Sequence, residues 1–321
     1  MSKFVEKSSW YFINIFIGLN LLLLCSASAD PALKKYFTAN AAYNRKLYSV
    51  ATTQFENFLK VHGSHPKADL ALRGLGLSHY ALKQYNEAIP CFSKLISKNN
   101  LDKTINRERI IILQGQCLLQ SSQKSKAKDL FTNEVQSLTN PIYKNSALAF
   151  IIDISFGNSN WDDVVKWTSI IKNSKPSPDQ LTRAIYQMGF AYYQKDQITE
   201  AIKALNSSSD NKISDKWKTR ISYLLGECHS KNKQLEEAEK SFSIALEGMA
   251  KEEAKECHFR LGVTRFLMTK YEQALANFDI FLQENKDLQD PKSRQATLYK
   301  GRIYYELKKY LEAETELQKL T

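Results

Sequence analysis

The chain has 321 residues, with only 11 Gly and 7 Pro against 43% hydrophobic residues, which excludes a sheet-rich fold with many tight turns. Its 16 Tyr, 16 Phe and 4 Trp exclude disorder. The formal net charge of +11 suits nucleic acid, an anionic membrane surface or an acidic protein partner, and chooses among none of them. Five Cys in a chain of this length give no disulfide framework. Length alone suggests two domains, and the composition argues against that count.

In chain order, the first segment reads as a targeting signal over residues 1–29. Lys3 and Lys7 supply a positive start, Trp10 to Leu24 carries no charge, and Ala27-Ser28-Ala29 offers the small-x-small pattern that a signal peptidase cleaves. Cleavage there leaves Asp30-Pro31 as the new start of an exported chain, residues 30–321. One rival is an uncleaved anchor, for which the apolar run is short against the ~20 residues of a span. The other is a lipoprotein held through Cys25, where Leu24 is large for the place before the modified residue. Export argues against a nucleic-acid role and leaves no stable membrane span after cleavage. It turns the basic charge toward a protein or envelope-surface contact in the periplasm or cell envelope, or outside the cell.

From Ala39 onward one unit recurs. An opening copy has Ala39, then Tyr48, Ala51, Phe55 and Phe58. Leu75-Gly76 follows with Tyr80, Tyr85, Ala88 and Phe92, and then Gly115 with Ala127 and Phe131. A degenerate copy places Ile152 where the Gly belongs, before Trp161 and Val164. Gly189 precedes Tyr193 and Ala201; Gly226 precedes Ala238 and Phe242; Gly262 precedes Tyr271, Ala274 and Phe278; Gly301 precedes Tyr305, Tyr310 and Ala313. The small residue of the second half falls at 51, 88, 127, 164, 201, 238, 274 and 313, in steps of 36 to 39. Each copy reads as two helices with one apolar stripe apiece. Gly within a helix costs about 1 kcal/mol relative to Ala, so its recurrence predicts a place where two helices touch. The breaker-rich stretches Asn99-Asn100, Lys175-Pro176-Ser177-Pro178, Ser207-Ser208-Ser209-Asp210 and Asp287 to Pro291 read as the loops between copies.

This pattern resembles the tetratricopeptide repeat (TPR), over residues 32–321. The period is longer than the family's, which places the extra residues in those loops and is similar to bacterial cell-envelope members. The resemblance implies an all-α, right-handed solenoid of about eight antiparallel helix pairs, and a peptide or protein partner lying in a concave groove lined by the first helices. The groove places, counted from the Gly, lie six and three before it and one and four after it. They carry Arg73, Tyr80, Arg109, Arg183, Tyr186, Tyr193, Arg220, Tyr223, Arg302 and Tyr305, beside Tyr36, Tyr43, Ile112, Phe156, Phe190 and Phe259. Arg and Tyr are residue types that dominate binding hot spots, and Arg both forks onto carboxylates and stacks on rings. The expected partner is therefore an acidic peptide or protein with apolar anchors. Some of these Tyr are also expected to fill gaps between helices.

No catalytic constellation is present: there is no P-loop, no Gly-x-Ser-x-Gly elbow, no His-Glu-x-x-His and no Cys-x-x-Cys. Cys228-His229 and Cys257-His258 fall in adjacent first helices, but neighbours on a helix point about 100° apart, so each pair sends one group inward. Structural Cys is the better reading, with no metal and no cofactor. Cys91 with Cys117 and Cys228 with Cys257 remain open as disulfide pairings in an oxidising compartment. His62 and His65 read as loop histidines, and Asp162-Asp163 as the acidic start of a helix. The reading is a non-enzymatic protein-binding scaffold. A narrower alternative is an assembly factor for outer-membrane or cell-wall machinery; a lipid-handling or metal-dependent protein is an alternative that no motif supports. N-terminal sequencing of the protein from its own cells should begin at Asp30; an intact Met1 on a cytosolic product would remove the export reading.

Overall fold

The computed structural model describes residues 30–208, 214–285, 287 and 289–320. The leader assigned to residues 1–29 and part of the Ser207–Asp210 loop lie outside the described residues. Among these residues there are sixteen helices and no strand. In chain order they are α1 (Pro31–Asn44), α2 (Tyr48–His62), α3 (Ala68–Ala81), α4 (Tyr85–Ile96), α5 (Arg107–Gln120), α6 (Lys124–Glu134), α7 (Pro141–Gly157) and α8 (Trp161–Ile171). They continue with α9 (Pro178–Gln194), α10 (Ile198–Asn206), α11 (Asp215–Lys231), α12 (Leu235–Glu247), α13 (Lys251–Leu267), α14 (Tyr271–Glu284), α15 (Pro291–Glu306) and α16 (Tyr310–Gln318). These make the eight helix pairs of an α-solenoid. They fall into two compact units, dividing between Tyr143 and Lys144.

Each pair is closed by one turn. The residue seven after the Gly position has positive φ in every copy: Lys46, Lys83, Ser122, Ser159, Asp196, Lys233, Thr269 and Lys308, with φ between 56° and 62°. None is Gly, so each holds the left-handed conformation against its own Cβ. The following amide donates back to the carbonyl five residues earlier, as from Gln84 to His79 (2.9 Å) and from Gln234 to His229 (2.9 Å). This is the six-to-one bond of a Schellman turn. It leads straight into the second helix, and most second helices start without a side-chain cap. First helices start from longer loops and more often carry one: Asp30, Asn106 and Asp290 accept from the first-turn amides of α1, α5 and α15, and Ser177 with Gln180 forms a capping box on α9.

The recurring Gly explains the helix spacing. A Cβ placed on Gly76, Gly115, Gly189, Gly226, Gly262 or Gly301 would lie 1.9 to 2.8 Å from a side chain on the second helix of its own pair. That side chain is always sixteen residues on: Phe92, Phe131, Leu205, Phe242, Phe278 and Leu317. Ala39 and Phe55, both buried, stand in the same relation. Phe55 also presses on the next copy, 2.4 Å from where a Cβ on Gly74 would sit. In the degenerate copy the sizes are exchanged: Ile152 takes the Gly place, and the residue sixteen on is Thr168, with both buried. Two large residues cannot share this contact, and the sequence keeps one of the two small in every copy.

The remaining core is the second-helix Ala row from Ala51 to Ala313, all buried, with apolar first-helix residues over it. Two glycines separate contact from propensity. Gly115→Ala, whose Cβ would sit 1.9 Å from the Phe131 ring, should lower the urea midpoint, by about 1–3 kcal/mol of stability. Gly157→Ala, at the end of α7 with nothing within 4 Å, should raise it by up to about 1 kcal/mol. Equal effects at the two sites would remove the contact as the reason for the repeat's Gly.

Candidate binding face

The first helices α1, α3, α5, α7, α9, α11, α13 and α15 carry the groove places. Of the ten residues singled out from the sequence, none is fully buried. Arg73, Tyr80, Tyr186, Tyr193 and Tyr223 are half-buried, and Arg109, Arg183, Arg220, Arg302 and Tyr305 are exposed. Tyr36, Ile112 and Phe259, at the same kind of place, are instead core residues, Tyr36 lying against Phe55 and Phe58.

In the first unit the Tyr80 hydroxyl donates to Gln116 Oε1 (3.2 Å), which joins α3 to α5 along this face. Tyr43, Arg73, Leu77, Thr104, Asn106, Arg109, Ile110 and Leu113 line a cleft of about 290 Å³ across α1, α3 and α5.

In the second unit the face is a network. Arg183 Nη2 lies 2.8 Å from Asp153 Oδ1, and Gln187 donates to the same carboxylate (2.9 Å). The Tyr193 hydroxyl lies 3.4 Å from Glu227, and Arg260 Nε lies 3.1 Å from Glu227 and 3.2 Å from Glu256. Lys292 reaches Glu256 (2.6 Å). Tyr186 meets Trp217 at 5.6 Å between ring centres, and the Arg220 guanidinium sits 5.5 Å over the Trp217 ring. Phe156, Trp161, Phe190 and Tyr186 form a chain of rings with centres 5.3 to 6.4 Å apart. Arg302 has no ion-pair partner among the described residues, and Tyr305, 63% exposed, leans on Tyr310.

The acidic members of this network were missed in the sequence. Asp153 and Glu227 occupy the place one after the Gly position, which also holds Asn40, Phe190 and Arg302, and Glu256 stands six before Gly262. Reading that place through every copy finds them. They change the electrostatics of the second unit, because Arg183 and Arg260 spend their charge on carboxylates. Burial raises the carboxyls of both Asp153 and Glu227 above their ordinary range, against the pull of Gln187 and Arg183 on one and of Arg260 and Tyr193 on the other. Burial also raises the Tyr186, Tyr193 and Tyr223 hydroxyls, so they stay protonated.

The Cys and His candidates resolve into packing. Cys91, Cys117, Cys228 and Cys257 are all buried and free, so neither disulfide pairing is formed. Burial pushes the Cys91 thiol up to about 11 and the other three to about 12, so the free thiols stay protonated near neutral pH. His229 Nδ1 meets Gln234 (2.9 Å) as His79 Nδ1 meets Gln84 (2.9 Å), both across the closing turn, and His258 meets Asn277 (3.1 Å). His65 joins Asp30 (3.0 Å). Asp163 lies in the first turn of α8, where the Asn160 side chain accepts from its amide, and Asp162 pairs with Lys195 (2.5 Å). Among the described residues no group of three His, Cys, Asp or Glu could hold a metal ion, and no helix is long and apolar enough to cross a membrane.

The architecture and its first-helix faces define a helical-repeat protein. Tetratricopeptide-repeat models match residues 38–101, 183–208 and 259–321. The chain carries tetratricopeptide repeats over these residues. No curated protein matches its sequence. Among solved structures, the C-terminal part of a TPR repeat-containing protein from Cytophaga hutchinsonii superposes with a TM-score of 0.60 at 14% identity, covering 81% of this chain and 98% of that one. The apo form of RapI gives a TM-score of 0.56 at 12% identity, covering 86% of this chain and 82% of that one. At such identities the likeness is one of fold.

Glu227 makes the buried network testable. Its carboxyl holds a proton more tightly in the folded chain than in the unfolded one. Between the ordinary glutamate value of about 4.3 and the raised folded value, stability therefore falls as pH rises. Glu227→Gln removes that fall. Its melting temperature relative to wild type should be higher at about pH 7 than at about pH 4. The same difference at both pH values would show that Glu227 ionises as freely in the fold as out of it.

Proposed function

We propose that this chain is a non-enzymatic scaffold that holds a segment of a partner protein on its first-helix faces, and that it does so in the cell envelope after export. The observation that carries the binding reading is the incomplete burial of the groove places. Tyr and Arg at ten of them stay half-buried or exposed while their neighbours on the same helices form the core. Large side chains kept at the surface in repeated register, with ring chains such as Phe156–Phe190–Tyr186 beside them, are the materials of hot spots. The fold supports the class of function, since a helical-repeat stack offers an extended binding surface. The leader segment in the sequence supports the compartment.

The partner takes apolar anchors from the second unit's rings. Acidic groups on it would answer the groove guanidiniums that have no carboxylate partner among the described residues, Arg73, Arg109, Arg302 and Arg220, the last of these over the Trp217 ring; Arg183 is not among these, because Asp153 already neutralises it. The narrower reading, an assembly factor for outer-membrane or cell-wall machinery, follows from the same face and compartment.

A photo-crosslinking amino acid placed at Tyr193 or Tyr305 in cells should capture a discrete protein partner. The same probe at Glu237, exposed on the second helix α12, should not. Equal capture from Glu237, or from none of the three, would move recognition off the first-helix face.

A further inference from the structure

Four arginines are half-buried: Arg73, Arg107, Arg260 and Arg265. Arg107 is gripped by Glu134 (2.9 and 3.0 Å), Arg260 by Glu227 and Glu256, and Arg265 by Glu239 (2.9 Å). Arg73 alone of the four has no carboxylate partner among the described residues. Its Nε is shut off from solvent without any hydrogen-bond acceptor. An N–H removed from water and left unpaired is costly; Arg260 Nε is also buried without a hydrogen bond, but two carboxylates stand within 3.2 Å of it, whereas none stands beside Arg73 among the described residues.

Arg73 lies in the cleft of the first unit, and Arg109 lines it from the next first helix. Arg109 likewise has no ion-pair partner among the described residues. The loop before α5 contributes Thr104 and Asn106, and the walls are Tyr43, Leu77 and Leu113. The Asn106 carbonyl caps α5 by accepting from the Arg109 amide (2.9 Å), so the side chain is held and its Nδ2 remains as a donor. The acid nearest in effect is Asp102. Its field reaches Arg73 and Lys67, but its carboxylate is engaged with Thr104.

We propose that this cleft is a subsite for one carboxylate side chain, a Glu or Asp within a partner segment, received between Arg73 and Arg109. The proposal rests on the scaffold reading and names the chemistry it recognises in the first unit. A guanidinium matches a carboxylate with two parallel donors. The methylenes of a Glu fit the Tyr43, Leu77 and Leu113 walls. The negative field of Asp102 favours a single charge over a doubly charged phosphate. Groove places continue past the cleft, at Gln116 and Leu119 of the third copy. The chain bearing the carboxylate therefore passes through rather than ending there.

The test uses the full chain and three pools of short fluorescent peptides read by polarisation. The first pool is capped at both ends and carries a central Glu beside Leu or Phe, with other positions random and uncharged. The second is its twin with Gln for Glu. The third has the central Gln and a free C-terminal carboxylate. The first pool should bind about tenfold or more tightly than the second. That preference should vanish in Arg109→Gln, an exposed position whose loss leaves the fold intact, and in Arg73→Gln, and should survive in Arg302→Gln. A Glu preference that persists in both cleft variants overturns the subsite, as does equal binding of the first two pools or no binding of any. Tighter binding of the third pool than the first assigns the cleft to a chain terminus and also overturns it, and so does loss of the Glu preference in millimolar inorganic phosphate but not in equal chloride. None of these outcomes touches the crosslinking result on which the scaffold reading depends.

Discussion

The contact on which the structure depends is between a glycine backbone and a ring or branched chain sixteen residues later. A helix that offers no Cβ lets its partner's Phe or Leu lie against the main chain, and the two axes then approach closely enough for the Ala row to close the gap. The loss in helix propensity at each Gly, about 1 kcal/mol, is offset by that contact. The Ile152 and Thr168 copy shows that the constraint is on the sum of two volumes rather than on glycine itself. Everything functional follows from this spacing, since it fixes which side of each first helix is left for a partner.

That face has different character in the two units. In the first, two guanidiniums stand in a cleft without carboxylates in contact. In the second, carboxylates buried beside arginines and tyrosines form a nearly neutral network over a chain of aromatic rings. Half-burial raises the acid pKa values and holds the tyrosine hydroxyls protonated, so that surface presents hydrogen-bond donors and apolar edges more than net charge.

Most of the fold was legible in the sequence, because the repeat writes the same packing problem eight times. Gly, Ala and Phe at fixed intervals can satisfy one geometry only. The sizes at 152 and 168 are half legible: Ile152 stands out against the Gly of the other copies, and its compensating Thr168 does not. The binding face was legible as to position and less so as to charge. Arg183 looked available from its register, but an ion pair between adjacent copies depends on two residues thirty apart, Asp153 and Arg183. Listing one residue type at each place does not reveal it. Cys228-His229 was ambiguous for a related reason. His229 does what His79 does, bonding a Gln five residues on, and that parallel is visible only when both turns are laid together.

The closing turn also governs how such a chain can change length. Seven residues separate the Gly position from the left-handed residue, and sixteen separate it from its counterpart on the second helix, in all eight copies; the spacing between copies varies. An insertion within a pair would shift the turn and the packed second-helix side chain out of phase together, breaking two features at once. An insertion in the stretch between Ile96 and Arg107, or between Asn206 and Asp215, would disturb neither. Drift in sequence length over generations is therefore channelled into the inter-pair loops. The hairpin is the inherited unit, and the reach from one hairpin to the next is the quantity free to evolve.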